Sequence, residues 1–186
     1  SEDLGIKLEN VTVNDLGIVR SVAASDRLDQ IPAIDLKTSG GGHEGIIFFQ
    51  SDSSRHTIRT GTVTLFDDYM LSVDATSFGP GSTSGVQLGA GNGAGGLNNQ
   101  GLYDVRVTGD GILSLGDNSA SFTGNRNFRV GDGTVRVLHN GAFGANTVTA
   151  SLRSTAAMEI AVSNFVPTAT LLQEPGSIER WAVSDA

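Results

Sequence analysis

A short internal repeat constrains the fold of this chain more than any other feature of the sequence. Residues 109–118 (GDGILSLGDN) match residues 131–140 (GDGTVRVLHN) at an offset of 22 residues. Residues 8–19 (LENVTVNDLGIV) match residues 102–113 (LYDVRVTGDGIL) at an offset of 94, close to four such periods with a few extra loop residues. In each unit apolar and polar residues alternate in short runs bounded by Gly, Asn, Asp or Ser. A period of this length indicates a solenoid whose units stack on one another.

The alternating apolar residues predict which side chains face the core. They recur as pairs along the chain: Val11/Val13, Ile34/Leu36, Val63/Leu65, Val86/Leu88, Val105/Val107 and Phe128/Val130, followed by Val148. We expect the first members of the five earliest pairs to form one internal column, with about 4.8 Å between neighbours. The chain is therefore predicted to be all-β, a single right-handed parallel β-helix of about seven coils. A two-sheet jelly roll, which also has short strands and Gly turns, is the alternative.

The two ends of the chain differ in pattern. Residues 1–163 carry the repeating units, whereas residues 164–186 contain Pro167, Pro175 and Trp181, the only tryptophan. An open end of a solenoid exposes unpaired backbone, so we predict that residues 164–186 form an atypical cap or a subunit contact. The first residues read as an ordinary coil, which predicts that the chain is a segment of a longer protein.

Composition excludes several classes of function. Only 17% of the residues are charged and 25 are glycine, which suits short strands joined by tight turns. The formal net charge of −8 repels phosphate backbones and anionic membranes, so we expect neither nucleic-acid nor membrane partners. The chain has no cysteine, which excludes disulfides and thiolate zinc sites. We expect no cofactor and no metal.

Two glycine motifs favour turns over ligand sites. Residues 85–101 contain a G-x-G-x-x-G pattern, but the dinucleotide fingerprint needs a helix after it, and Leu-Asn-Asn-Gln and another strand follow here. The Gly-Asp-Gly turns at 109–111 and 131–133 lack the tandem nine-residue spacing of calcium rolls. The first motif therefore predicts a flexible loop or a tight corner of the solenoid, and the second predicts structural turns.

The densest acidic cluster contains the candidate site residues. Asp67, Asp68 and Asp74 are candidate catalytic residues, because glycosidic cleavage needs one carboxyl group as acid and one as base or nucleophile. Asp68 with Tyr69 forms a candidate sugar-binding pair, through hydrogen bonds to hydroxyl groups and stacking on the ring. The alternative is a solvated turn between strands at Leu65 and Leu71.

The pattern of the coils resembles the right-handed parallel β-helix proteins of the pectate-lyase-like and phage-tailspike group. The resemblance is carried by residues 6–14 (IKLENVTVN), 34–36 (IDL) and 102–107 (LYDVRV). It implies a segment of a tailspike-like protein, a homotrimer on the virion surface or outside the cell, that recognises bacterial surface polysaccharide, which proteins of this group often also cleave. No catalytic residue is carried over from that group, since no set of calcium-binding aspartates with a catalytic Arg or Lys is found.

Two other hypotheses are kept beside this one. Residues 131–148 are similar to autotransporter passenger repeats, which implies a structural or adhesive segment of a surface protein. The third hypothesis is a polysaccharide lyase or glycoside hydrolase. One fold hosts many functions, so the fold does not choose among the three.

Overall fold

The computed structural model describes residues 11–21, 29–40, 42–51, 58–74, 85–89, 96–116, 127–139, 142–143, 149–152, 155–162, 170–173, 175 and 178–181. Every regular element in these ranges is a β-strand. The strands are β1 (Val11–Asn14), β2 (Leu16–Ser21), β3 (Asp29–Lys37), β4 (Gly45–Ser51), β5 (Ile58–Leu65), β6 (Tyr69–Val73), β7 (Val86–Leu88), β8 (Gly96–Asn98), β9 (Val105–Thr108), β10 (Ile112–Leu115), β11 (Asn127–Val130), β12 (Gly133–Val137), β13 (Thr149–Leu152), β14 (Ala156–Ile160), β15 (Thr170–Gln173) and β16 (Ile178–Trp181). None of the described residues lies in a helix that could cross a membrane.

The strands form two sheets, and the chain passes from one to the other at almost every turn. The first sheet has the order β1-β3-β5-β7-β10-β12-β14-β16, with β8 also paired to β5, and the second has the order β15-β13-β11-β9-β6-β4-β2. Every strand pair among the described residues is parallel. The prediction of an all-β fold with parallel strands is confirmed, and the jelly-roll alternative, which needs antiparallel strands, is wrong.

The short repeat corresponds directly to strand register. Ile112 pairs with Thr134 in the first sheet, and Phe128 pairs with Ala150 in the second, each at the offset of 22 residues seen in the sequence. The Gly-Asp-Gly turns lie just before β10 and β12, where the chain returns from the second sheet to the first. They are therefore corners of the fold.

The predicted internal column is correct for its first three members only. Val11 pairs with Ile34, and Ile34 with Val63, but the partner of Val63 on the far side is Leu97 and not Val86. The cause is the length of β5. This strand pairs with β7 near its start and with β8 near its end, and β7 and β8 are separated in sequence by a Gly-rich segment.

The last member of the predicted column lies in the other sheet. Val105 pairs with Tyr69 in the second sheet, whereas Val11 belongs to the first. The match at an offset of 94 residues therefore joins strands of different sheets. Because strands of both sheets alternate apolar and polar residues between turn residues, their sequences are alike although their places differ.

The inward-facing side chains of both sheets pack into one core. Strand β6 shows the pattern clearly, with alternate residues buried from Tyr69 to Val73. The largest side chains that are fully buried are Tyr69, Phe49, Phe128, Ile34, Leu36, Ile47, Ile58, Leu65, Leu71 and Leu88. Each buried aliphatic or aromatic side chain stabilises the fold by roughly 1.5–3 kcal/mol relative to exposure.

Some predictions fall at or beyond the limits of the described residues. Val148 and most of residues 164–186 lie outside them. Within that C-terminal range, β15 pairs in parallel with β13, and β16 with β14, and the backbone of Trp181 is the register partner of Ile160. The division of the chain after residue 163 stays a prediction.

Candidate functional site

Five carboxylates lie in stacked turns where the chain passes from the first sheet to the second. The turns are held together by backbone hydrogen bonds, such as Asp15 N to Lys37 O at 2.8 Å and Tyr69 N to Asp104 O at 3.2 Å. We call this line of side chains the acidic corner; it consists of Asp15, Glu44, Asp67, Asp68 and Asp104. The sequence predicted only the central two of these residues as site residues.

Asp67 and Asp68 reach in opposite directions along the stack of turns. Asp67 Oδ2 accepts hydrogen bonds from Thr38 N at 3.2 Å and Thr38 Oγ1 at 2.5 Å. Asp68 Oδ1 accepts a hydrogen bond from Asp104 N at 2.8 Å. Each carboxylate thus accepts a hydrogen bond from a backbone N–H of a neighbouring turn, and a charged acceptor makes such a bond stronger than a neutral one. Both residues therefore support the corner structurally.

The outer members of the acidic corner act in the same way. Asp15 Oδ1 accepts a hydrogen bond from Ser39 N at 2.7 Å, and hydrogen bonds from the side chain and backbone of Ser39 lower the pKa of Asp15. Asp104 accepts hydrogen bonds from Asn127 N at 3.0 Å and Asn127 Nδ2 at 2.9 Å. Asp15 itself adopts φ 58°, a left-handed conformation that Asp tolerates in tight turns.

Tyr69 lies in the core, with 0% of its surface exposed. Its hydroxyl is 2.8 Å from the carbonyl oxygen of Lys37 and 3.3 Å from that of Val13. The ring packs closely on Gly45, where an added Cβ would lie 2.3 Å from the ring. Because the ring is enclosed by protein, its burial favours a structural role, and its predicted role in sugar binding stays a prediction.

Burial makes the hydroxyl group of Tyr69 a weaker acid than that of an ordinary tyrosine, and this difference can be measured. Desolvation, with the charges of Asp15 and Asp67, raises the pKa of Tyr69 from 10.0 to about 12. Since the folded state holds the proton more tightly than the unfolded state, the stability from this group is complete below pH 10 and is lost as the pH rises towards about 12.

We therefore expect the tyrosinate absorbance of the folded chain to show one late titration step that Tyr69→Phe removes. Stability of the natural chain should fall between pH 10 and about 12, and that of the Phe variant should fall less over the same range. Unfolding followed by circular dichroism at several pH values measures both. Ionisation of Tyr69 near its ordinary pKa would contradict this prediction.

Asp74 lies at the opposite end of β6 from Asp68. The five residues of β6 separate them, which at about 3.3 Å per residue places the two ends roughly 20 Å apart. Paired carboxylates that cleave glycosidic bonds are about 5–9.5 Å apart. The structure brings Asp67 and Asp68 to one corner and leaves Asp74 away from them. The catalytic role of all three stays a prediction.

An exposed aromatic ring that the sequence did not single out lies on the acidic corner. Phe66, immediately before Asp67, is 37% exposed, and Lys37 Nζ lies 4.6 Å from the centroid of its ring. In the adjacent turn Leu102 is exposed, and Gln100 Nε2 donates a hydrogen bond to Leu65 O at 2.5 Å. The signal was present in the alternation, because Val63 and Leu65 face inward and the next residue must face outward.

The histidines and the Gly-rich motif form no metal or cofactor site in the described part of the chain. There, no group of three or more His, Asp or Glu side chains is placed to hold a metal ion. His43 and His139 are exposed in separate turns, and His56 is outside the described residues. Gly96, the last glycine of the G-x-G-x-x-G pattern, begins the short strand β8, where the sequence predicted a flexible loop or a tight corner.

No protein-family model matches the chain, and comparison with curated proteins and with solved structures gives no match either. The likeness to tailspike and pectate-lyase-like proteins is therefore one of sequence pattern. Any functional assignment depends on the surface chemistry of this chain.

Proposed function

We propose that the chain is a segment of a right-handed parallel β-helix of about seven coils that recognises bacterial cell-surface polysaccharide. Each coil would contribute one strand to each sheet, which accounts for the alternation of the strands between the two sheets. The parent protein would act outside the cell or on the virion surface, as a homotrimer. The observation that supports glycan recognition best is the exposed ring of Phe66 beside Asp67 and Asp68.

These three residues offer both kinds of contact that a sugar needs. An aromatic ring packs against the C–H face of a pyranose, and carboxylates accept hydrogen bonds from its hydroxyl groups. Lys37 adds an ammonium group over the ring, and the amide of Gln100 is hydrogen-bonded to the carbonyl oxygen of Leu65, the residue before Phe66. The exposed side of the acidic corner thus combines apolar area with hydrogen-bonding groups.

The shape and charge of the acidic corner narrow the class of glycan. Turns repeated about every 4.8 Å form a ridge along which an extended polymer touches several turns at once. The chain carries a net charge of −8, and the five corner carboxylates are part of it. A polyanionic glycan would be repelled, so the proposed ligand is a neutral or amino-containing polysaccharide.

Phe66→Ala should weaken glycan binding by at least about tenfold, which corresponds to roughly 1.4 kcal/mol of lost contact. Asp68→Asn should weaken it less, because the amide oxygen of Asn still accepts a hydrogen bond. A glycan array followed by calorimetry on the best ligand measures both. Asp132→Asn is the matched control, since Asp132, like Asp68, is an exposed carboxylate in a turn, but it lies at the opposite corner, where it accepts a hydrogen bond from the hydroxyl of Thr155.

Two results would contradict the proposal. One is the absence of saccharide binding across a broad array of neutral and amino-containing bacterial glycans. The other is binding that Phe66→Ala leaves unchanged, which would place the ligand elsewhere on the molecule.

A structural or adhesive passenger segment is the second candidate, and one observation favours it. One carboxylate oxygen accepts a hydrogen bond from a backbone N–H of a neighbouring turn in Asp15, Asp67 and Asp68, and from the N–H that begins β11 in Asp104. This arrangement stiffens the stack whether or not a ligand binds. A β-barrel translocator domain in the parent protein would decide for it. An enzymatic role, as polysaccharide lyase or glycoside hydrolase, has less support because Asp74 lies far from the other two aspartates.

A further inference from the structure

The strands β2, β4 and β6 lie side by side at one end of the second sheet, and the outer face of the sheet is apolar there. Leu16 and Ile18 are 64% and 63% exposed, which is unusual for large aliphatic side chains. The register makes the patch continuous. Leu16 is beside Ile46 and Ile46 beside Met70, while Ile18 is beside Phe48. We call these five residues the apolar face.

Most outward positions described on the first sheet are polar, with Ala33, Ile112 and Ala157 as exceptions, so the fold does not require the apolar face. One register row there contains Thr12, Asp35, Thr64 and Asn98. Another contains Gln87, Ser114, Arg136 and Glu159. The last two form an ion pair of 2.7 Å. The apolar side chains point away from the core, and a further strand added beside β2 would extend the sheet without covering its face. They therefore mark an interaction surface.

We infer that the apolar face binds a second copy of this chain. The first reason is charge. Two copies that each carry −8 repel one another, and contact costs least where neither copy presents a charge. The other outward-facing side chains described on β4 and β6, Gln50 and Ser72, are also uncharged.

The second reason is the charge pattern at the border of the face. Arg106 is the register partner of Met70, and Arg129 is the partner of Arg106. Arg106 pairs with Glu44, and Arg129 Nη2 lies 3.8 Å from Asp104 Oδ2. Both signs are therefore present at one edge, where the Arg side chains are 45% and 58% exposed. Copies that meet at the apolar face can exchange these ion pairs between chains, which makes the surface complementary to itself.

The size of the apolar face sets the expected strength of association. Three strands about 4.8 Å apart, with outward positions about 7 Å apart along each, cover on the order of 200 Å². A stable interface buries about 800 Å² per partner. The apolar face would form the water-free centre of the interface. The Arg and Glu side chains at its border would supply the remaining buried area. We therefore expect reversible association that increases with protein concentration.

This inference rests on the homo-oligomeric part of the proposed function and not on glycan recognition. Sedimentation velocity and light scattering of the chain at increasing concentration should show a mass of two or three copies. Ile18→Glu, which puts a charge at the centre of the face, should weaken association at least about tenfold. Phe48→Ser should act in the same direction. Thr64→Glu, at an outward position of the first sheet, is the matched control and should associate like the natural chain.

The outcomes separate the two proposals. A monomer at every concentration, or association of Ile18→Glu and Phe48→Ser equal to that of the natural chain, overturns the inference. Circular dichroism of each variant should show a folded chain, since both side chains lie outside the core. An oligomer that needs the apolar face but binds no glycan leaves the inference intact and contradicts only the proposed ligand.

Discussion

Phe128→Ala should destabilise the chain by about 3–5 kcal/mol, the range measured when a buried Phe is cut back to Ala. Phe128 is fully buried, and its ring meets that of Phe143 edge to face, with 5.4 Å between the centroids. Its neighbours in register are Val105 and Ala150, so strands on both sides surround the site. The cavity would be bounded by backbone that is hydrogen-bonded into the sheet, which limits collapse around it.

The adjacent residue on the same strand provides the control. The Arg129 side chain is 58% exposed, and its ion pair with Asp104 is long, so Arg129→Ala should change stability by less than about 0.5 kcal/mol. Urea unfolding followed by circular dichroism compares the two variants. Equal effects of the two substitutions would mean that the inward and outward assignments on β11 are wrong.

Gly109→Ala should cost at least about 2 kcal/mol, because both the backbone conformation and the available space oppose a side chain. Gly109 has φ 90°, which residues with a Cβ rarely adopt. An added Cβ would lie 2.1 Å from the carbonyl oxygen of Val73, and that oxygen also accepts a hydrogen bond from Gly111 N at 2.9 Å. The backbone there cannot move away without loss of this hydrogen bond.

Gly131 is the matched control, since it occupies the same place in the second Gly-Asp-Gly turn. A Cβ on Gly131 would meet Val107 O at 3.5 Å, an ordinary contact, and its φ is outside the left-handed region. Gly131→Ala should therefore cost less than about 1 kcal/mol. Thermal unfolding midpoints of the two variants test the difference, and a larger loss for Gly131→Ala would contradict it.

The two turns show how far a sequence repeat predicts local structure. The repeat placed both Gly-Asp-Gly segments at corners, and the register at an offset of 22 residues confirms this. The repeat did not predict which glycine of each turn has positive φ. Positive φ falls on Gly109 in the first turn and on Gly133 in the second. The residues that crowd these positions, Val73 at Gly109 and Gly109 at Gly133, are distant in sequence.

The candidate site was predicted in part. The position of Asp67 and Asp68 at a turn followed from the strands on either side of it, but the partners of their carboxylates did not. Thr38 is 29 residues from Asp67, and Asp104 is 36 residues from Asp68. Tyr69 was not predicted to face the core, nor Phe66 to face solvent, although the alternation of Val63 and Leu65 contained that information.

The sequence by itself predicted the alternation of apolar and polar residues and the turn residues, because both are local features of the chain. Successive side chains of a strand point to opposite faces, so the strands and most of the inward residues, such as Ile34 and Val63, could be predicted. Only the tertiary structure decided which sheet each strand joins and which side chains meet on the outer surface of the sheets. Val105 and Val11 have the same local pattern and lie in different sheets, because strands of both sheets alternate apolar and polar residues in the same way. The apolar face and the acidic corner likewise exist only once turns and strands distant in sequence are stacked side by side.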